Sequence, residues 1–240
     1  MEFYKYLTAP KTIALLLLGG LIAFNTPSLS AQVNAFVGYA YSQNKGEKVF
    51  NQIIDRYNAR NPTILQPMTT LNFLHGVDLG IRYRFPAVSI EFDWFNKFNQ
   101  VNDRVRNADN TEFKNTLYYK SQSYCLGVEF YHEWFGAGAS LDWNNLIVKK
   151  EKSNDKVKET WLQEGGFSNH IFLNFELKMN DVMSLSIRPY VQLPLYKNDF
   201  YVIEQKLNPD IAASMDKDAY VQKVVNWGIK FLFVNGNKTP

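Results

Sequence analysis

The chain has 240 residues, with 26 Lys and Arg against 23 Asp and Glu, three His and one Cys. A formal net charge of +3 makes no electrostatic case for nucleic acid, and a single cysteine excludes an intrachain disulfide and a zinc–cysteine cluster. A mean hydropathy of −0.29 still allows membrane crossing by strands, because only alternate residues of a barrel strand meet lipid.

Met1 to Ala31 reads as a cleaved secretory signal peptide. Lys5 and Lys11 supply its positive start, Ile13 to Phe24 its apolar run, and Pro27 to Ala31 a region suited to cleavage before Gln32. The run is too short for a membrane helix of about 20 residues, and no cysteine follows to carry a lipid anchor. The remainder, 32–240, suits one domain.

That domain reads as eight stretches of period-two alternation. The first is Val33 to Ser42, with Val33, Ala35, Val37, Tyr39 and Tyr41 on one face. The loop Gln43 to Thr70 should hold a short helix, since Val49, Phe50, Ile53, Ile54 and Tyr57 recur at helical spacing and Asn61-Pro62 would end it. Strand two, Phe73 to Arg84, turns at Phe85-Pro86-Ala87 into strand three, which alternates from Val88 to Lys97. A polar loop is expected over Asn99 to Asn115. Strands four and five follow around a turn near His132-Glu133, then a charged loop from Lys149 to about Glu164. Strand six (Phe167 to Lys178) turns at Asn180-Asp181 into strand seven, where Pro189 and Pro194 are awkward for a central strand. A long loop, Asn198 to Ala219, leads to a last strand beginning near Val221.

Short and long connections alternate, the strand count is even, and aromatics gather at both strand ends. Tyr39, Tyr41, Trp94, Phe98, Tyr118, Tyr119, Trp143 and Phe167 fall toward the long loops; Tyr83, Phe85, Phe130, Trp134, Phe135, Phe231 and Phe233 toward the short turns. Together these predict an all-β, transmembrane, antiparallel up-and-down β-barrel in the cell outer membrane, with aromatic girdles at both interfaces.

An eight-stranded barrel has little room inside beyond its own side chains. The expected inner face carries Asp78, Glu91, Asp93, Glu129, Asp142 and Glu176 against Arg82, Arg84, Lys97, Lys178, Arg188 and Lys230. Charges withdrawn from water must be paired, so this set predicts a cross-linked polar plug. Ser168 and His170 share the inner face near the long-loop end, His75 sits at the same end in the outward phase, and the three are candidate rim contacts. The helix residues Phe50, Ile53 and Ile54 are candidates for a partner surface or for a lid over the barrel mouth. Three dispersed histidines point to no metal site, no cofactor is expected, and Cys125 reads as inert packing.

With "SLSAQ", "VNAFVGYAYSQ" and "GVDLGIRYRFPAVSIEFDWF", the chain resembles the small outer-membrane β-barrel proteins of Bacteroidota, of the porin-like and OmpA-like kind. The resemblance implies contact with outer-membrane lipid and lipopolysaccharide, and surface loops able to take a protein partner. The chain departs from many barrels in continuing past Phe233 with "VNGNKTP". The expected role is a non-enzymatic barrel with a closed or narrow polar lumen. Three other readings stay open: a narrow channel or transporter, a lipid-modifying acyl hydrolase or transferase using Ser168 and His170, and a secreted lipocalin-like barrel with its faces reversed.

Overall fold

The computed structural model describes residues 32–44, 48–153 and 157–235. The expected signal peptide lies outside the described residues. Eight long strands run β1 Gln32–Asn44, β2 Phe73–Arg84, β3 Val88–Arg106, β4 Glu112–His132, β5 Phe135–Lys152, β6 Lys158–Lys178, β7 Met183–Pro194 and β8 Asn226–Asn235. Each is antiparallel to its sequence neighbour. The ring closes where β8 pairs with β1, Phe231 opposite Tyr39 and Lys230 opposite Ala40. No described helix is long and apolar enough to cross a membrane.

The alternation sorts side chains as in a barrel whose outside is apolar. Leu126, Ile81 and Ile171 are 61%, 56% and 54% exposed, while Asp78, Arg82 and Glu129 on the inner face are 0% exposed. That is the reverse of the lipocalin-like arrangement. Small inner residues make room for large ones: a Cβ at Gly80 would collide with the ring of Phe36, and one at Gly138 with the ring of Phe172.

The four strands β3 to β6 are 18 to 21 residues long, against 10 to 13 for β7, β8, β1 and β2. The expected loops Asn99–Asn115 and Lys149–Glu164 are therefore mostly strand. Charge was a poor sign of a loop here. The outward face of these extensions accepts Arg104 and Lys149, while Val101, Val105, Leu117, Leu146, Val148 and Leu162 keep an apolar inward phase. A bulge at Val148/Lys149 makes Trp161 an extra residue and lets it turn inward beside Leu162. The last strand begins at Asn226 rather than near Val221, because Val221–Gln222 pairs with Asn198–Asp199 in a small separate ladder.

The first connection carries helix α1, Lys48–Arg60, followed by the short strand Ile64–Gln66, which pairs with β3. The connection from β7 to β8 carries α2, Tyr201–Leu207, and α3, Pro209–Ala212. At the other end the turns are short; the two residues Glu133 and Trp134 join β4 to β5, with Glu133 at φ 50°. Proline 189 is accommodated on one side only. The β7–β8 ladder runs through Pro189 opposite Ile229, while the β6–β7 ladder skips Leu173 and Asn174.

Candidate functional site

The interior is layered along the barrel axis. Nearest the short turns, three arginines meet three glutamates. Arg84 Nη2 lies 2.7 Å from Glu176, and Arg82 lies 3.3 Å from Glu176 and 3.4 Å from Glu91. Arg188 holds Glu91 through both terminal nitrogens at 2.9 and 3.0 Å and reaches Glu129 at 3.2 Å. Asn174 donates to Glu129 at 2.6 Å and Ser184 to Glu176 at 3.0 Å. The guanidinium carbons of Arg82 and Arg188 lie over the Phe36 ring, so the aromatic fills the space beside the charges without offering water. Two-pronged arginine contacts suit a dry site because one planar group satisfies both carboxylate oxygens.

The next layer is Lys230, 2.6 Å from Asp78 and 3.3 Å from Asp93, with its ammonium 4.0 Å from the Phe95 ring centre. Beyond it, β4, β5 and β6 each contribute one inward residue to a cluster. Cys125 faces Asp142 directly across the β4–β5 ladder, and His170 Nδ1 lies 2.5 Å from Asp142 Oδ2. A ligating atom from each of the three falls within 4.8 Å of the others. Asp142 also accepts from Ser140 at 2.6 Å and Ser168 at 3.2 Å. Gln192 donates to Asn144 at 2.8 Å and accepts from Lys97 at 2.9 Å.

Above this polar stretch the lumen becomes apolar. Phe50, Ile53 and Ile54 of α1 are fully buried among Leu117, Tyr119, Leu146, Val148, Phe200 and Ile203. Phe50 meets the Tyr119 ring at 5.4 Å and the Phe200 ring at 6.1 Å. Polar side chains clamp the cap. Asn51 and Asn58 bond both ways with the backbone of Leu71 and Met68, and Arg56 holds the fully buried Glu204 of α2 at 2.8 and 3.0 Å. That bond to Glu204 raises the affinity of Arg56 for its proton. Tyr57 donates to Asp103 at 2.7 Å; burial, then this carboxylate, pushes the Tyr57 hydroxyl well above its usual range.

Several expected positions differ. Lys178 is not part of the interior set: its side chain is 64% exposed and pairs with Asp181 at 2.8 Å, because β6 ends there and the turn is solvated. Phe50, Ile53 and Ile54 cannot be partner contacts, since all three form the underside of the cap. Ser168 and His170 are not rim residues; both are buried in the lumen, since β6 continues above them and the cap closes over it. His75 does face outward, where its Nδ1 lies 2.5 Å from the Tyr39 hydroxyl and its ring 4.7 Å from that of Phe98. Tyr119, expected in a girdle, points inward to Phe50. The buried Arg56–Glu204 and Tyr57–Asp103 pairs were missed. The Cys125–Asp142 pairing was within reach, since a turn centred at Glu133–Trp134 puts those two residues opposite one another.

No family model matches the chain, and no curated protein matches it. Solved structures similar to it include three barrels. Ail, the attachment invasion locus protein of Yersinia pestis, solved with the heparin analogue sucrose octasulfate, is 14% identical, covers 85% of this chain and 98% of its own, and has a TM-score of 0.43. Neisserial surface protein A is 9% identical over 87% of this chain and 99% of its own, with a TM-score of 0.40. The outer membrane protease OmpT from Escherichia coli is 9% identical over 88% of this chain and 97% of its own, with a TM-score of 0.33. At such values the eight-stranded barrel rests on its own strand ladders.

Proposed function

We propose that this chain is an outer-membrane β-barrel with a sealed lumen, non-enzymatic, that holds a rigid surface structure above the bilayer. The observation that carries the reading is the inversion of the faces: apolar residues outside, ion-paired charges inside, and an apolar cap over them. A band of exposed Leu, Ile, Val and Phe is stable against lipid and costly against water. Strands of 10 to 13 residues match the roughly 9–11 needed to cross a bilayer, so β3 to β6 would continue above it as a wall. Lys120 and Lys149, outward above Tyr124 and Trp143, suit contact with lipopolysaccharide phosphate. The interior supports closure rather than conduction, because ion pairs cross-link the lower lumen and α1 and α2 fill the upper. Ser168 is bonded to Asp142 and held among Asn144 and Gln192, and it makes no bond to His170, which speaks against a hydrolase.

The test is folding into phospholipid vesicles followed by planar-bilayer recording. The expected result is a heat-sensitive gel mobility and a silent bilayer. A monomer soluble without lipid or detergent, or stepwise conductance, overturns the proposal. Leu126→Arg gives the orientation independently. It should cost about 2–4 kcal/mol if the residue meets the bilayer centre, and close to nothing if it faces water.

A further inference from the structure

We infer that Cys125, Asp142 and His170 form a binding site for a zinc-like divalent metal inside the barrel. Three adjacent strands, β4, β5 and β6, each give one inward side chain to this cluster, and their ligating atoms lie within 4.8 Å of one another. A thiolate, an imidazole and a carboxylate together suit Zn(II), which takes sulfur, nitrogen and oxygen donors without demanding a geometry from its d electrons.

Two further observations point to a cation there. Below the cap, among the described residues, the lumen holds the carboxylates Asp78, Glu91, Asp93, Glu129, Asp142 and Glu176, but with Lys178 outside it has only Arg82, Arg84, Lys97, Arg188 and Lys230 to oppose them; Asp103 lies higher, bonded to Tyr57 and Asn115. Asp142 is the acid left over. Each of the other five below the cap has a Lys or Arg within 4.0 Å, whereas the partner of Asp142 at that range is His170. Second, His170 Nε2 is buried with no hydrogen-bond partner, so the imidazole retains ligating capacity beyond its contact with Asp142. The nearby cations are engaged elsewhere, Lys230 by Asp78 and Asp93 and Lys97 by Gln192. On binding, the Cys125 thiol gives its proton to solvent and its sulfur bonds the metal. The dication and the thiolate together add one positive charge, which balances Asp142.

The apolar cap above the cluster implies that metal enters as the barrel folds and is then retained. The full chain is therefore folded from urea into detergent with Zn(II), treated with chelator, and analysed for metal. The expected content is about one zinc per chain, with a sulfur shell near 2.3 Å in X-ray absorption, released only on unfolding. Cys125→Ser should lower the content at least about tenfold while Ser123→Ala leaves it unchanged. Content below about a tenth of a zinc per chain, an absorption spectrum without sulfur, or wild-type content in Cys125→Ser overturns the inference. If Cys125→Ser does not fold, the sulfur shell of the wild-type protein decides alone. These readouts are independent of whether the lumen conducts.

Discussion

Replacing Lys230 by methionine would probe the dryness of the lumen. Its ammonium is 2.6 Å from Asp78 and 3.3 Å from Asp93, and among the described residues no other Lys or Arg comes within 4.0 Å of either acid. All three side chains are buried. Methionine keeps most of the volume and leaves two carboxylates facing each other without a cation. Breaking a buried pair from one side costs about 3–5 kcal/mol, and two acids depend on this one amine, so a loss of about 4–5 kcal/mol is expected. That is a large share of the roughly 5–15 kcal/mol by which folded proteins are stable. The assay is reversible urea unfolding in vesicles, followed by tryptophan emission. Adding Asp78→Leu and Asp93→Leu should return stability to within about 1–2 kcal/mol of wild type, since replacing a whole buried ion cluster by apolar groups of similar volume is close to neutral. A loss below about 1 kcal/mol for Lys230→Met is the behaviour of a solvated pair. It would mean that water reaches Asp78 and Asp93, and the sealed-lumen reasoning would fail.

Other consequences follow from the cap and the turns. Arg56→Met leaves the fully buried Glu204 without its cation; since Arg56 is 28% exposed, screening reduces the loss to about 1–3 kcal/mol. Amide exchange should quicken in α1 and α2 and stay slow in the barrel strands; equal quickening everywhere would show that the cap is not a separate unit. The raised Tyr57 hydroxyl favours the folded state while it is protonated. Its contribution is complete below the ordinary tyrosine value near 10 and falls as pH rises above it. Stability in urea measured across that range should fall less steeply with pH in Tyr57→Phe than in the wild type. Glu133→Gly should stabilise the barrel by about 1 kcal/mol in urea, because Glu133 holds a positive φ that glycine adopts freely. A destabilised variant would show that the Glu133 side chain has a role of its own.

Much of the barrel was legible because a strand repeats every two residues, so local order alone sorts the faces. Val77, Leu79 and Ile81 against Asp78, Gly80 and Arg82 fall as their alternation requires. Helix α1 was legible for the same reason, through its own spacing. Strand ends were not. Val101, Val105, Leu146 and Val148 extend the inward phase, but the charges outside them read as loop, because a strand that projects into water tolerates them.

Partnerships across the lumen lay further out of reach. Arg84 and Glu176 are 92 residues apart and Lys230 and Asp93 are 137 apart; closing the ring and setting its stagger decides which charges meet. Lys178 shows the limit most plainly, since its phase is right and its height puts it in water. Composition and alternation account for an apolar outside and a charged inside. Ring closure, strand height and the folding of α1 and α2 into the mouth account for the ion pairs, the cap, and the meeting of Cys125, Asp142 and His170. The reason is one of range: a strand's pleat is set by neighbouring residues, whereas a buried charge is satisfied by whichever distant strand the closed barrel carries past it.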